Sequence, residues 1–127
     1  MRKCNKKTFK LYLINFLLTK LKFKDELVGK IIKKHFEEKK LVAAICAGPT
    51  AFLGHKFAYG KSITSYPLFK EKLSQYYNYK DDAVVQDENL ITSQGPGTCF
   101  EFALKVIEYL EGAEKSQSLI KPMILKL

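Results

Sequence analysis

Paired cysteines are missing from this sequence. Its three, Cys4, Cys46 and Cys99, are odd in number, far apart and outside any CxxC spacing, which excludes a zinc ribbon or a disulfide framework and fits a reducing compartment. Long apolar runs are missing as well. The one near the start, 11–18, falls far below the ~18 apolar residues of a spanning helix, so no membrane span is expected. It follows a cationic start, the broad shape of a secretory signal, yet no small-x-small cleavage site comes after it and Lys20, Lys22 and Lys24 do. Acid is absent from residues 1–24, where eight of the 22 Lys and Arg lie, leaving 14 cations against 13 Asp and Glu in the rest. The net charge of +9 therefore belongs to the extension, and the body has no reason to seek phosphate backbones. No repeat or low-complexity tract is present.

What remains is ordinary globular material. A chain of 127 residues has room for one domain, and 46% hydrophobic against 28% charged residues argues against disorder or a membrane bundle. The division expected is an unrelated basic and apolar extension over 1–24 and a domain over 25–127. Asp25 caps a helix running to about residue 40, with Val28, Ile31, Ile32, His35 and Phe36 on one face and Lys30, Lys33, Lys34 and Glu37 on the other. LVAAIC, 41–46, is an uninterrupted apolar run, as in a strand buried on both faces of a mostly parallel sheet. The turn Ala47-Gly48-Pro49 leads to a helix over 50–57 that ends near Gly60. SITSY, 62–66, reads as a strand stopped by Pro67, 70–79 as a polar, tyrosine-rich helix or loop, and DAVVQDENLITSQ as a hairpin around Asp87-Glu88-Asn89. After Gly95-Pro96-Gly97, Thr98 and Glu101 stand at capping-box spacing and open a helix that runs to Gly112. Helices alternating with strands mean α/β layers.

Chemistry belongs where LVAAIC meets AGPT. A cysteine at a sharp strand-to-helix junction is held out of the sheet and faces the first unpaired amides of the next helix, which favour the thiolate. The Ala47 N–H is then placed to donate to a developing oxyanion. The plainer alternative for Cys46 is a small buried hydrophobe at a strand end. Cys99, in the first turn of the later helix, reads as a packed core thiol from its neighbours, with an activated thiol as the alternative. His35 and His55 read as packing or capping residues. No metal site or cofactor is expected. Tyr76, Tyr77 and Tyr79 near Lys72 and Lys80 could stack bases, but no nucleic-acid partner is expected.

KKLVAAICAGPTAFLGHKFAYGKSITSYPL, followed by NLITSQGPGTCFEFALKVIEYLEG and a KP-x-I-L-K ending, resembles the DJ-1/PfpI superfamily, and within it the parkinsonism-associated protein deglycase branch. The resemblance implies a flavodoxin-like three-layer α/β sandwich of the class I glutamine amidotransferase-like kind, incomplete at its N-terminus. It also implies a cytoplasmic homodimer and an oxidisable cysteine at Cys46. Activities implied by it are glutathione-independent glyoxalase, protein deglycase, redox-regulated chaperone and oxidative-stress sensor. Small reactive carbonyls or glycated adducts are the implied partners. Cys46 would be the nucleophile and Ala47 the backbone oxyanion donor, with Gly48, Pro49, Tyr66, Gly95 and Pro96 forming the substrate-binding surround.

Several features separate this chain from related patterns. Ala47 stands where the bacterial protease-like branch has a histidine, and no histidine follows His55, so the His-x-Glu pair of glutamine amidotransferases is missing. Against its own branch, Tyr66 replaces a histidine near the cysteine and Gln94 an anion-binding arginine. The part that would hold the first strands, the glutamate bonded to the cysteine and a second oxyanion amide is not matched, and a truncated product is the expectation. Two function classes follow. One is a cysteine-dependent glyoxalase or deglycase; the other is a non-catalytic redox sensor or chaperone-like protein, or an inactive fragment.

Overall fold

The computed structural model describes residues 25–125. The extension over 1–24, Cys4 within it, and the last two residues of the chain lie outside the described residues. From Asp25 on, the amphipathic period is realised: α1 spans Glu26–Glu37 and turns Gly29 and Ile32 inward, with Val28 and Phe36 packed beside them. Asp25 caps it, its carboxylate accepting from the Leu27 and Val28 amides at 2.8 and 3.2 Å, a contribution of ~1 kcal/mol. The helix stops earlier than residue 40. Lys39 takes a left-handed φ of 56°, and the Lys39 and Lys40 amides reach back to Phe36 O and His35 O, the double bond pattern that closes a helix.

β1, Val42–Ile45, is buried on both faces as expected, with Ala43 and Ala44 at most 2% exposed, although among the described residues it pairs with one strand only and stands at the edge of its sheet. Its side chains divide by parity between two clusters. Val42 and Ala44 join Ile32, Phe52, Ile63, Leu73 and Leu90 on one face, whereas Leu41 and Ala43 join Ile91, Phe102 and Val106 on the other. A strand clothed on both sides has no polar face to alternate, which is why its sequence reads as a plain apolar run.

The next helix is shorter than 50–57. α2 covers Thr50–Gly54, because Lys56 turns left-handed at φ 49° and the Lys56 and Phe57 amides close on Leu53 O and Phe52 O. The expected strand over 62–66 reduces to β2, Ser62–Ile63, paired in parallel with β3, Asn78–Tyr79. Between them lie a 3-10 turn, Pro67–Phe69, and the one-turn helix α3, Lys70–Leu73, whose Leu73 is fully buried. This resolves the tyrosine-rich stretch as a helical turn followed by a strand.

The hairpin forms as expected. β4, Val84–Asp87, runs antiparallel to β5, Leu90–Ser93, and β5 lies between β4 and a parallel β1. At the turn Asn89 is 2% exposed, and its amide donates to Phe36 O and Lys40 O, fastening the end of α1 to the hairpin. Lys61 adds an outer tie through Asp87 and Glu88 at 3.2 and 2.8 Å. After β5 a 3-10 turn, Pro96–Thr98, enters α4, Cys99–Glu111, which covers the second face of the sheet with Phe102 and Val106. Gly112, at φ 93°, ends it, and α5, Ala113–Ile120, folds back so that buried Ser116 donates to Leu104 O at 2.8 Å. The layers are α1 and α2, the sheet, then α4, the α/β sandwich that the alternation of elements announces. Among the described residues no helix is long and apolar enough to cross a membrane.

Candidate functional site

The site lies at the C-terminal ends of β1 and β5, where crevices open in parallel α/β sheets. Cys46 directly follows β1 and is half-buried. Its φ is +62°, in a region that costs a residue with a side chain ~1–3 kcal/mol and that clusters at functional turns. Two backbone bonds hold it there: its N–H donates to Ser93 O and its carbonyl accepts from the Tyr66 N–H, both at 2.9 Å. Gly48 N–H closes the turn onto Ile45 O at 2.9 Å, and Thr50 Oγ1 donates to Ala47 O at 2.6 Å. The Ala47 N–H finds no acceptor among the described residues. Neither does the Cys46 thiol make a hydrogen bond among them.

The surrounding residues expected from sequence come together around this turn. Ala47, Gly48 and Pro49 are buried within it. Tyr66 is tied to Cys46 through the backbone, and its ring covers Gly95, whose Cα substituent would sit 3.5 Å from Tyr66 Cδ2. Pro96 follows as an exposed residue opening the 3-10 turn. Gln94 points away from a binding role: its side-chain amide donates to Asp81 O at 3.0 Å.

Two expectations are corrected here. The Thr98 and Glu101 capping box does not form, because Thr98 Oγ1 turns back to accept from Gly95 N–H at 3.1 Å and to bond Gly95 O and Ser93 Oγ, while Glu101 stays exposed. Cys99 is exposed rather than packed, with its thiol 3.7 Å from Gly95 O. Its helical phase matches that of Val106, but the apolar cluster under this face starts at Phe102, so the first turn projects past the core.

The other candidates are structural. His55 packs its ring against Gly29 so closely that a Cβ there would lie 2.5 Å from Nδ1. Tyr77 donates to Phe57 O at 2.7 Å, and burial holds its hydroxyl far above the usual tyrosine range. Tyr79 donates to Ser65 O at 3.0 Å. No cluster of three metal-ligating side chains stands among the described residues. Sequence reading missed the hydroxyls of Ser93 and Thr98, which link β5 to the Gly95 loop; the one signal was a pair of small hydroxyl residues flanking QGPG.

Comparison with known proteins agrees with this geometry. The family model described as DJ-1/PfpI family matches residues 19–109. Over 101 residues the chain is 48% identical to the Parkinson disease protein 7 homolog of Danio rerio, covering 78% of this chain and 53% of that protein. It is 46% identical over 99 residues to the glutathione-independent glyoxalase DJR-1.2 of Caenorhabditis elegans, covering 77% and 53%. Among solved structures, Drosophila melanogaster DJ-1beta superposes with a TM-score of 0.81 at 45% identity, covering 86% of this chain and 59% of that one. The chain spans about half the length of the relatives it matches. With its buried strand, its left-handed cysteine turn and its QGPGT loop in the family's flavodoxin-like arrangement, the chain belongs to the DJ-1/PfpI family.

Proposed function

We propose that this chain carries the thiol half of a glyoxalase or protein deglycase site of DJ-1 type, acting on small reactive carbonyls or glycated adducts in the cytoplasm as part of a homodimer. The observation that carries the reading is the turn itself. Cys46 occupies a strained left-handed position at the end of a buried strand, and the next amide, Ala47 N–H, has no acceptor among the described residues. In this role Cys46 Sγ adds to the carbonyl carbon of the substrate, and the Ala47 N–H donates to the oxygen as it gains charge. Gly48 and Pro49 form the floor, and Tyr66, Gly95 and Pro96 form the wall against which a small substrate rests. The glyoxalase named among the relatives supports this substrate class.

A second reading has its own observation. Among the described residues no carboxylate bonds the Cys46 thiol, which suits a redox sensor whose cysteine is oxidised and alters partner binding. One experiment separates the two: methylglyoxal consumption by the full chain and by Cys46→Ala. Turnover in the parent that disappears in Cys46→Ala supports the enzyme. A parent with no turnover, but with Cys46 taken to sulfinic acid by mild peroxide, selects the sensor.

A further inference from the structure

A left-handed cysteine persists only where its neighbours over-determine it, and both backbone bonds that hold Cys46 lead to one side chain. The first goes to Ser93 O. Ser93 is fully buried; its hydroxyl lies 2.9 Å from Ala83 O and shares a 2.6 Å hydrogen bond with Thr98 Oγ1. The second goes to Tyr66 N, whose ring lies on Gly95. Gly95 meets the same Thr98 hydroxyl at both of its polar groups: its N–H donates to it at 3.1 Å, and its carbonyl, 2.9 Å away, competes with Ser93 Oγ for that hydroxyl's one proton. Thr98 has no contact with substrate in the proposed site, and although it is the N-cap residue of α4 its side chain makes no cap bond to that helix. Its hydroxyl is spent on the end of β5 and on the Gly95 loop.

We infer that Thr98 is a positioning residue for Cys46, its hydroxyl fixing Ser93 and Gly95 so that the two bonds on the Cys46 backbone stay in place. The consequence for reactivity rests on the reading of Cys46 as the reactive thiol; the geometric claim does not. Removing the hydroxyl frees the loop, lets the Tyr66 ring and the end of β5 move, and lets Cys46 relax from its left-handed turn. A threonine acting only as a helix-entry residue would leave the Cys46 amide alone.

The test uses the full chain as parent, Thr98→Val and Thr98→Ser, with amide hydrogen exchange read at Cys46, Gly95 and Ala44, and iodoacetamide alkylation of Cys46 followed by mass spectrometry between pH 6 and 9. In Thr98→Val the Cys46 amide is expected to exchange about tenfold faster, a local opening rather than a global one, while Ala44 in mid-strand stays within about twofold. Alkylation of Cys46 falls about threefold across the pH range, and Thr98→Ser restores both. Unchanged exchange at Cys46 in Thr98→Val, or a serine variant as impaired as valine, overturns the inference. If Thr98→Val fails to fold, Thr98→Ala is read by the same criteria. A parent whose Cys46 alkylates no faster folded than in urea would sink the reactive-thiol reading alone, because the exchange result stands apart from it.

Discussion

Two strands of the same sheet each run into a turn that carries a cysteine, and the two turns solve the problem differently. After β1 the chain bends at Cys46 itself, in left-handed backbone, with the thiol half-buried and the following amide unspent. After β5 it bends through Gly95, Pro96 and Gly97, and Cys99 then sits in relaxed helical geometry at φ −59°, exposed, its thiol directed at Gly95 O. In the second turn the sharp change of direction is left to residues that tolerate it. In the first it falls on the cysteine proposed as the nucleophile. Strain located on a cysteine, where glycine would be cheaper, is the difference between the two turns, and it is what the proposed role of Cys46 rests on.

The largest effect that would break this comparison comes from removing the second turn's helix. Leu104 is 8% exposed in the interior of α4, and its carbonyl receives the Ser116 hydroxyl. Leu104→Pro removes a backbone donor and forces the ring against the preceding turn, costing ~3 kcal/mol or more. Because α4 supplies Phe102 and Val106 to one whole face of the sheet, the variant is expected to lose cooperative unfolding by circular dichroism. A parent-like melting temperature would show that α4 does not carry that face.

A smaller and sharper test lies in the sign of a matched pair. If Cys46 is strained, Cys46→Gly relieves it, since glycine adopts positive φ at no steric cost, and stability should rise by ~1 kcal/mol. Cys99 has nothing to relieve. Cys99→Gly places glycine in a helix, at a cost of up to ~1 kcal/mol. Urea denaturation of both variants should therefore move the midpoints in opposite directions. Midpoints that shift the same way would dissolve the distinction between the turns.

Much of this was legible in the sequence for reasons that can be named. β1 showed as an apolar run because both of its faces are covered, and α1 showed because only one of its faces is. The hairpin and the stop at Gly112 followed from turn chemistry. The helix ends at Lys39 and Lys56 were not legible, because lysine occupies the left-handed closing position where glycine is the usual signal. Nor were β2 and β3, two residues each, whose pairing spans a long separation that no local pattern records. At the site, the residues were legible and the conformation was not. The motif placed Cys46 next to Ala47, but nothing local states that Cys46 turns left-handed, since the bonds that hold it come from Ser93 and Tyr66. Cys99 misled for a related reason: its phase along α4 matches the buried face, and only the tertiary end of the core leaves it in solvent.

That exposure sets up the smallest effect, a contest of reaction rates. With mild peroxide a thiolate attacks one peroxide oxygen; the S–O bond forms, the O–O bond breaks, hydroxide leaves, and sulfur is oxidised to sulfenic acid. Access alone favours Cys99, which is exposed, over Cys46, which is half-buried. The turn argues the other way, because Cys46 borders an amide that no described residue engages, whereas the Cys99 thiol is directed at a carbonyl. Urea removes both differences. The ratio of modified Cys46 to modified Cys99, read by peptide mass spectrometry, is therefore expected to be a few-fold higher in the folded chain than in urea, despite the poorer access. A ratio that rises on unfolding would mean that burial alone governs Cys46, and that its left-handed turn serves only to lead β1 into α2.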